Sequence, residues 1–484
     1  MRNERSVVTD QRRGAAPGGA RENRRAGAGH GRADAVRRTA YQALRAVAER
    51  DAYANLVLPG LIRDAGLDRR DAALATELVY GTLRLQGTYD AILAACVDRP
   101  LREVDPPLLD VLALGAHQLL NTRIPAHAAV SATVELAREV AGPGPVGFVN
   151  AVLRRVAAHD VESWLQRVAP PWQSDPEGHL AVMYSHPTWV VDALWDSLGG
   201  GREGIEALLA ADNERPEVTL VARPGRVGVR ELMADLPEGA AAPGRWSPFA
   251  VRMPEGGDPA TLEAVRDFRA GVQDEGSQLV AAAFAAAPLQ GGPDRRWLDG
   301  CAGPGGKAAL LAALAAQRGA ELLAVERQPH RAGLVARALT GAPGTQQVVT
   351  ADSTRPAWRP ASFDRALVDV PCTGLGALRR RPEARWRRRP EDLEGFAPVQ
   401  RSLLHSAADA VRPGGVVGYA TCSPHLAETR EVVADVLDTR GDLELLDARP
   451  LLPDMPHLGD GPDVQLWPHL HGTDAMYLAL LRRS

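Results

Sequence analysis

Along the 484 residues of this chain the hydrophobic period changes once, and that change bounds the fold. From Asp34 to about His159, apolar residues recur at helical spacing. The sets are Val36, Ala40, Leu44 and Val47; Leu74, Leu78, Val79 and Leu83; Leu108, Val111, Leu112 and Leu119; and Val130, Val134 and Ala137. Pro106-Pro107, Pro125 and Gly142-Pro143-Gly144-Pro145 punctuate the helices, and no alternating strand pattern interrupts them. From about Gln273, short apolar runs alternate with helical stretches. Strands are predicted at Arg296–Asp299, Glu321–Val325, Gln346–Thr350, Phe363–Val368 and Val416–Ala420, and a helix over Lys307–Gln317. Such alternation implies a parallel sheet covered on both faces by helices. Between the two patterns, Thr188–Leu198 and Arg202–Ala211 read as helices and Glu217–Arg223 alternates like a strand. The expected architecture is multidomain: an all-α bundle over residues 34–160, a small α+β connecting module over 161–272, and an α/β domain over 273–484. Residues 1–33, rich in Arg, Gly and Ala, carry too few large apolar groups to fold alone and are expected to be a disordered basic arm. It either touches phosphates or is simply solvated.

Composition excludes several classes. No stretch approaches the roughly 20 apolar residues of a membrane span, and no apolar core follows the first arginines, so no membrane segment or secretory signal is expected. Four cysteines in a chain of this size do not make a disulfide framework, so the expected compartment is the reducing cytoplasm. The net charge of −4 does not mark a nucleic-acid binder, although charge is unevenly placed.

Basic residues are almost all arginine. Lys307 is the one lysine, and it closes Asp299-Gly-Cys-Ala-Gly-Pro-Gly-Gly-Lys307, a turn between a predicted strand and helix. A chance survivor could lie anywhere. A lysine in this turn points to a site that needs a compact ammonium, which arginine cannot replace. The turn lacks the phosphate-loop spacing, and Ala308 follows the lysine where that motif needs Ser or Thr, so a nucleotide triphosphatase is disfavoured. Acidic residues end the strands: Asp299, Glu326, Asp352 and Asp369. One such carboxylate is ordinary surface. Four at the edge where open α/β sheets bind ligands point to a cofactor, with Glu326 suited to ribose hydroxyls and Asp352 to an adenine amine.

Two cysteines stand in turns beyond adjacent strands, in Asp369-Val-Pro-Cys-Thr-Gly-Leu-Gly376 and Thr421-Cys-Ser-Pro424. Buried cysteine is usually inert packing, but a pair near a lysine and an aspartate at one sheet edge suggests nucleophilic catalysis. Such a pair suits methylation of cytosine at carbon 5. A thiolate adding to carbon 6 makes carbon 5 nucleophilic, an acid at ring nitrogen 3 supports the adduct, and a base then allows elimination. Spacing alone leaves open which cysteine attacks. The run from Arg379 to Arg389 sets seven arginines around Trp386. It is either a solvated charge run or an RNA contact through Arg379, Arg380, Arg381 and Trp386, with arginine on phosphate and the ring stacked on an unpaired base.

These motifs resemble the RsmB (Sun/Fmu) branch of the NOL/NOP/Sun RNA 5-methylcytosine methyltransferases. Asp299–Lys307 is similar to the family's D-x-C-A-x-P-G-G-K, Asp369–Gly374 to D-A-P-C-[ST]-G, and Thr421-Cys-Ser423 and Gln273–Leu279 also match. The helical region resembles a NusB-type RNA-binding domain through Leu78–Arg84 and Gly147–Arg155, and Tyr184–Trp189 and Asp212–Pro216 look like the same branch. The resemblance implies a Rossmann-like domain that uses S-adenosylmethionine (SAM) to methylate a cytosine of small-subunit (16S) ribosomal RNA, free or within an assembling particle. It implies Cys422 as nucleophile, Cys372 as the residue that assists release, and Asp369 and Lys307 as supports of the cytosine. The expected cofactor set is Asp299, Cys301, Ala302, Gly303, Pro304, Gly305, Gly306, Lys307, Glu326, Arg331, Asp352 and Asp369. No metal is expected, and the chain is expected to be a monomer. Gly303 departs from the usual alanine, Ala308 from threonine and Val370 from alanine. A scaffold with a vestigial site and the same reaction on transfer RNA are the competing expectations.

Overall fold

The computed structural model describes residues 34–254 and 256–484, so the expected N-terminal arm lies outside the described residues. Helices Ala35–Arg50, Ala54–Asp64, Arg69–Arg84, Gln86–Cys96, Pro106–Asn121, Ala126–Ala141 and Val146–Val156 form the bundle. Local signals fix their ends. The Asp34 and Asp68 carboxylates accept the N–H of Arg37 and Asp71, each at 2.8 Å, and Pro106 opens its own helix. The apolar faces meet in one core around Leu78, Ile92, Leu112, Leu114 and Leu153, all fully buried. Each such side chain stabilises the bundle by about 1.5–3 kcal/mol relative to exposure.

The middle segment divides between two cores. Helices Pro176–Tyr184, Thr188–Leu198 and Arg202–Asp212 pack with Leu375, Leu378 and Trp467 from the C-terminal half. Strands β1 (Val218–Ala222), β2 (Ala242–Pro243), β3 (Ala250–Met253) and β4 (Ala270–Val272) form an antiparallel sheet in the order β2-β3-β1-β4, with its own core.

The C-terminal half carries β5 (Arg296–Asp299), β6 (Glu321–Glu326), β7 (Gln346–Thr350), β8 (Phe363–Asp369), β9 (Val411–Thr421), β10 (Leu443–Leu446), β11 (Val464–Gln465) and β12 (Tyr477–Arg483). Their order is β10-β12-β9-β8-β5-β6-β7, with β11 paired to β12. The strands from β5 to β9 are parallel, as the alternation predicts. Beyond the predicted strands, β12 runs antiparallel to both β9 and β10 at one edge of the sheet. Side chains alternate between two cores, as a sheet covered on both faces requires. Trp297, Leu367, Val416 and Leu478 face one, and Leu298, Val368, Val417 and Tyr477 the other. Among the described residues no helix is long and apolar enough to cross a membrane.

Candidate active site

β5 to β9 deliver their carboxyl ends to one edge, and the chemistry-bearing residues collect there. Asp299, Glu326 and Asp369 are the last residues of β5, β6 and β8, and Cys422 follows the last residue of β9. Asp352 stands two residues beyond β7 rather than at its end. The turn after β5 is tied to its neighbours. Gly300 N–H donates to Leu367 O at 2.8 Å, Ala302 N–H donates to Val325 O at 2.9 Å, and Ser353 Oγ donates to Gly300 O at 2.6 Å. Pro304 and Gly305 lead into the helix Gly306–Gln317, whose first turn holds Lys307.

Lys307 Nζ reaches Asp369 Oδ2 at 2.9 Å. Burial works against the ammonium, but the charge and hydrogen bond of Asp369 outweigh it, and the Lys307 pKa is raised. Asp299 is 1% exposed. Its Oδ1 accepts the Cys301 N–H at 3.4 Å, while Oδ2 has no hydrogen-bond partner. Burial first, and then the negative charge of Asp369, push its carboxyl up to about 7. Glu326 accepts Gly303 N–H at 3.1 Å and Gln328 N–H at 2.8 Å. Arg331 donates to Gly303 O at 2.6 Å, its Nε lying 3.8 Å from Glu326. A Cβ on Gly303 would meet Glu326 Oε2 at 2.0 Å, so the departure from alanine is what lets Glu326 lie against the loop. Asp352 accepts both the hydroxyl and the N–H of Thr354, and these bonds hold it below its ordinary range.

The two motif cysteines are half-buried, with their sulfurs 3.5 Å apart. Their loops are joined where Gly376 N–H donates to Cys422 O at 2.8 Å and where Thr373 Oγ1 lies 3.1 Å from Ser423 Oγ. The hydrogen bond from Cys372 pulls the Cys422 thiol down, and Lys307 adds to this. Cys372 is pushed up by the same bond and by burial. Cys301 is pushed up by burial and by Asp299, which leaves it an inert thiol beside the turn. Two residues at the site had no sequence signal. Glu428 and Gln400 stand in none of the motifs, yet both are fully buried against the Cys372 loop.

The expected RNA contacts are corrected at Arg379, Arg380 and Trp386. Arg379 is 5% exposed and bonds Gly472 O and Asp474, and Arg380 bonds Asp474 and, at 2.7 Å, Asp274. Their guanidiniums are occupied by buried carboxylates and are not free for phosphates. The Trp386 ring packs against Gly87 of the helical bundle, where a Cβ would come within 2.4 Å, so it is not an open stacking platform. Arg381 is exposed, with its guanidinium 4.7 Å from the Tyr53 ring centre.

The profile of the family described as 16S rRNA methyltransferase RsmB/F matches residues 286–482, and that of the NusB family matches residues 34–158. The ribosomal RNA small subunit methyltransferase B of Pseudomonas putida is 32% identical, with 84% of this chain and 90% of that protein covered. The chain belongs to the RsmB/F family. A Mycobacterium tuberculosis protein named only as a methyltransferase (Rv1407) is 54% identical to this RsmB/F-family chain, covering 93% of it and 97% of the relative. The solved structure of PH0851 shares the fold with a TM-score of 0.77 at 20% identity, covering 93% of this chain and 98% of that one. The RsmB/F family is SAM-dependent. The site here fits such a cofactor, because a buried, unpaired Asp299 oxygen lies beside a Gly-rich turn at the sheet edge.

Proposed function

We propose that this chain methylates carbon 5 of a cytosine in small-subunit ribosomal RNA through a cysteine–RNA adduct. The observation that carries the reading is the pair of sulfurs 3.5 Å apart, beside a Lys307–Asp369 ion pair at the edge where the Gly-rich turn lies. The Pseudomonas relative's name supplies the RNA. When bound, SAM supplies an electrophilic methyl group. Asp299, Cys301, Ala302, Gly303, Pro304, Gly305, Gly306, Glu326, Arg331 and Asp352 would hold it, with Asp299 Oδ2 accepting a donor from it. Cys422 adds to carbon 6, since its thiol is the one held down. Asp369, oriented by Lys307, supports the ring at nitrogen 3. Cys372 keeps its proton during that attack; once carbon 5 carries the methyl group, a base must take the carbon 5 proton, and Cys372 assists the elimination that returns Cys422 and frees the modified base. The target cytosine must be unpaired or flipped, because stacking shields carbon 6.

The test is methyl transfer from tritiated-methyl SAM to unmethylated small-subunit rRNA, offered free and in an assembling particle. Transfer should disappear in Cys422→Ala, and a protein–RNA adduct should accumulate in Cys372→Ala. If rRNA and SAM bind without any transfer, the scaffold reading replaces this one. Transfer confined to tRNA would move the substrate.

A further inference from the structure

A hydrogen bond between two thiols does not by itself decide which gives up its proton. Two equal sulfurs 3.5 Å apart share one acidity, and the charges around them set its direction. Those surroundings are unequal. Cys422 faces Lys307, which favours its thiolate, and Asp369 and Asp474, which oppose it. Around Cys372 the fully buried Glu428 opposes a thiolate, while Thr421 favours one. Glu428 Oε1 accepts the backbone N–H of Thr373, next to Cys372, at 2.8 Å, and the Gln400 amide at 3.2 Å; Oε2 accepts the Thr373 hydroxyl at 2.5 Å. Gln400 also donates to Pro371 O at 2.9 Å, so both neighbours of Cys372 in the chain are held from one carboxylate. Arg388 approaches the same loop, donating to Thr373 O at 3.1 Å. The Thr373 N–H and the Gln400 amide NH2 can only donate, so Glu428 Oε1 is an acceptor on both. Glu428 ends the short helical turn that follows the Cys422 loop, so it fastens one cysteine's loop to the other's.

We propose that Glu428 is a positioning residue for the thiol pair: its buried negative charge keeps the proton on Cys372 and leaves Cys422 as the thiolate. The inference rests on the reading of Cys422 as nucleophile, but its test uses neither RNA nor SAM. The full chain is alkylated with iodoacetamide under single-hit conditions across a pH series, and each cysteine is followed by peptide mass spectrometry. Near neutral pH, Cys422 reacts at least about tenfold faster than Cys372, the ratio expected for one unit of acidity. Glu428→Gln keeps the shape and removes the charge, and narrows that ratio to about threefold or less, by speeding Cys372. Glu428→Asp keeps the charge and stays near the wild-type ratio. An unchanged ratio in Glu428→Gln, or a faster Cys372 in the wild-type chain, overturns the proposal. The wild-type comparison needs no variant to fold. A chain that shows the split but never methylates RNA defeats the function reading and leaves the charge assignment standing.

Discussion

At the scale of single residues, Asp299 carries the sharpest pH argument. Its folded carboxyl is raised to about 7 by burial and by Asp369. A carboxyl raised on folding holds its proton more tightly in the folded chain. Its favourable effect on stability is therefore full below about pH 4 and is lost as the pH rises through the folded value. The ionised form receives a cationic donor much more strongly than the protonated one. SAM affinity should therefore rise as the pH climbs to about 7 and level above it. In Asp299→Asn, binding should weaken at least about tenfold and lose that slope, the loss of one charge-assisted contact. Calorimetric titration at several pH values reads both effects, and an identical slope in the variant would assign it to another group. Lys307 makes a different point at the same scale. An ammonium in contact with Asp369 at 2.9 Å explains why the one lysine of the chain sits there.

At the scale of elements, two glycines with crowded Cβ positions predict opposite outcomes. At Gly303 the obstacle is the end of the Glu326 side chain, which can move, so Gly303→Ala should change stability by under about 1 kcal/mol in denaturant unfolding. At Gly376 a Cβ would lie 2.0 Å from Ala475 O and 2.7 Å from Cys422 O, both backbone. Gly376→Ala must part the two cysteine loops, and should cost about 2 kcal/mol or more and most of the transfer activity. What was legible in the sequence follows the same division between local and non-local causes. β5, β6, β8 and β9 announced themselves as short apolar runs ending in acidic or cysteine-bearing turns, so the site edge could be read directly. β12 could not, because Tyr477–Leu481 is apolar at every position and suits a strand or a buried helix equally. Its reversed direction is decided by pairing with β9, from Tyr477 against Thr421 to Arg482 against Val416. Glu428 was invisible for the same reason: only the fold brings it to Thr373.

At the scale of the whole molecule, the arginine run joins the parts. Arginine count gives charge but not its counter-ions, and here those lie far along the chain, at Asp274 and Asp474. Other members reach the helical bundle. Arg387 donates to Asp51 O at 2.9 Å and Val47 O at 3.1 Å, and Glu383 accepts the N–H of Ala54. Arg385, with 0% exposure, donates to Arg84 O, Ser185 O, Asp212 O and Asn213 Oδ1. It therefore ties the bundle and the middle segment to the stretch that follows the Cys372 loop. Burial pushes the Asp212 carboxyl up and the Arg385 charge opposes this, which leaves it raised to about 7. Removing the guanidinium strands several buried acceptors at once. Arg385→Met, which preserves much of the volume, should destabilise the chain by about 3–5 kcal/mol. It should also speed proteolytic cleavage between the bundle and the C-terminal half, and change SAM affinity by less than about threefold, since the sheet edge is built from other residues. Arg389→Ala, exposed on the same run, should stay within about 0.5 kcal/mol. If Arg385→Met instead weakened RNA binding and left unfolding and proteolysis unchanged, the run would be an RNA contact after all. The burial of Arg385 argues that the molecule spends this charge on holding the helical bundle at a fixed distance from the thiols.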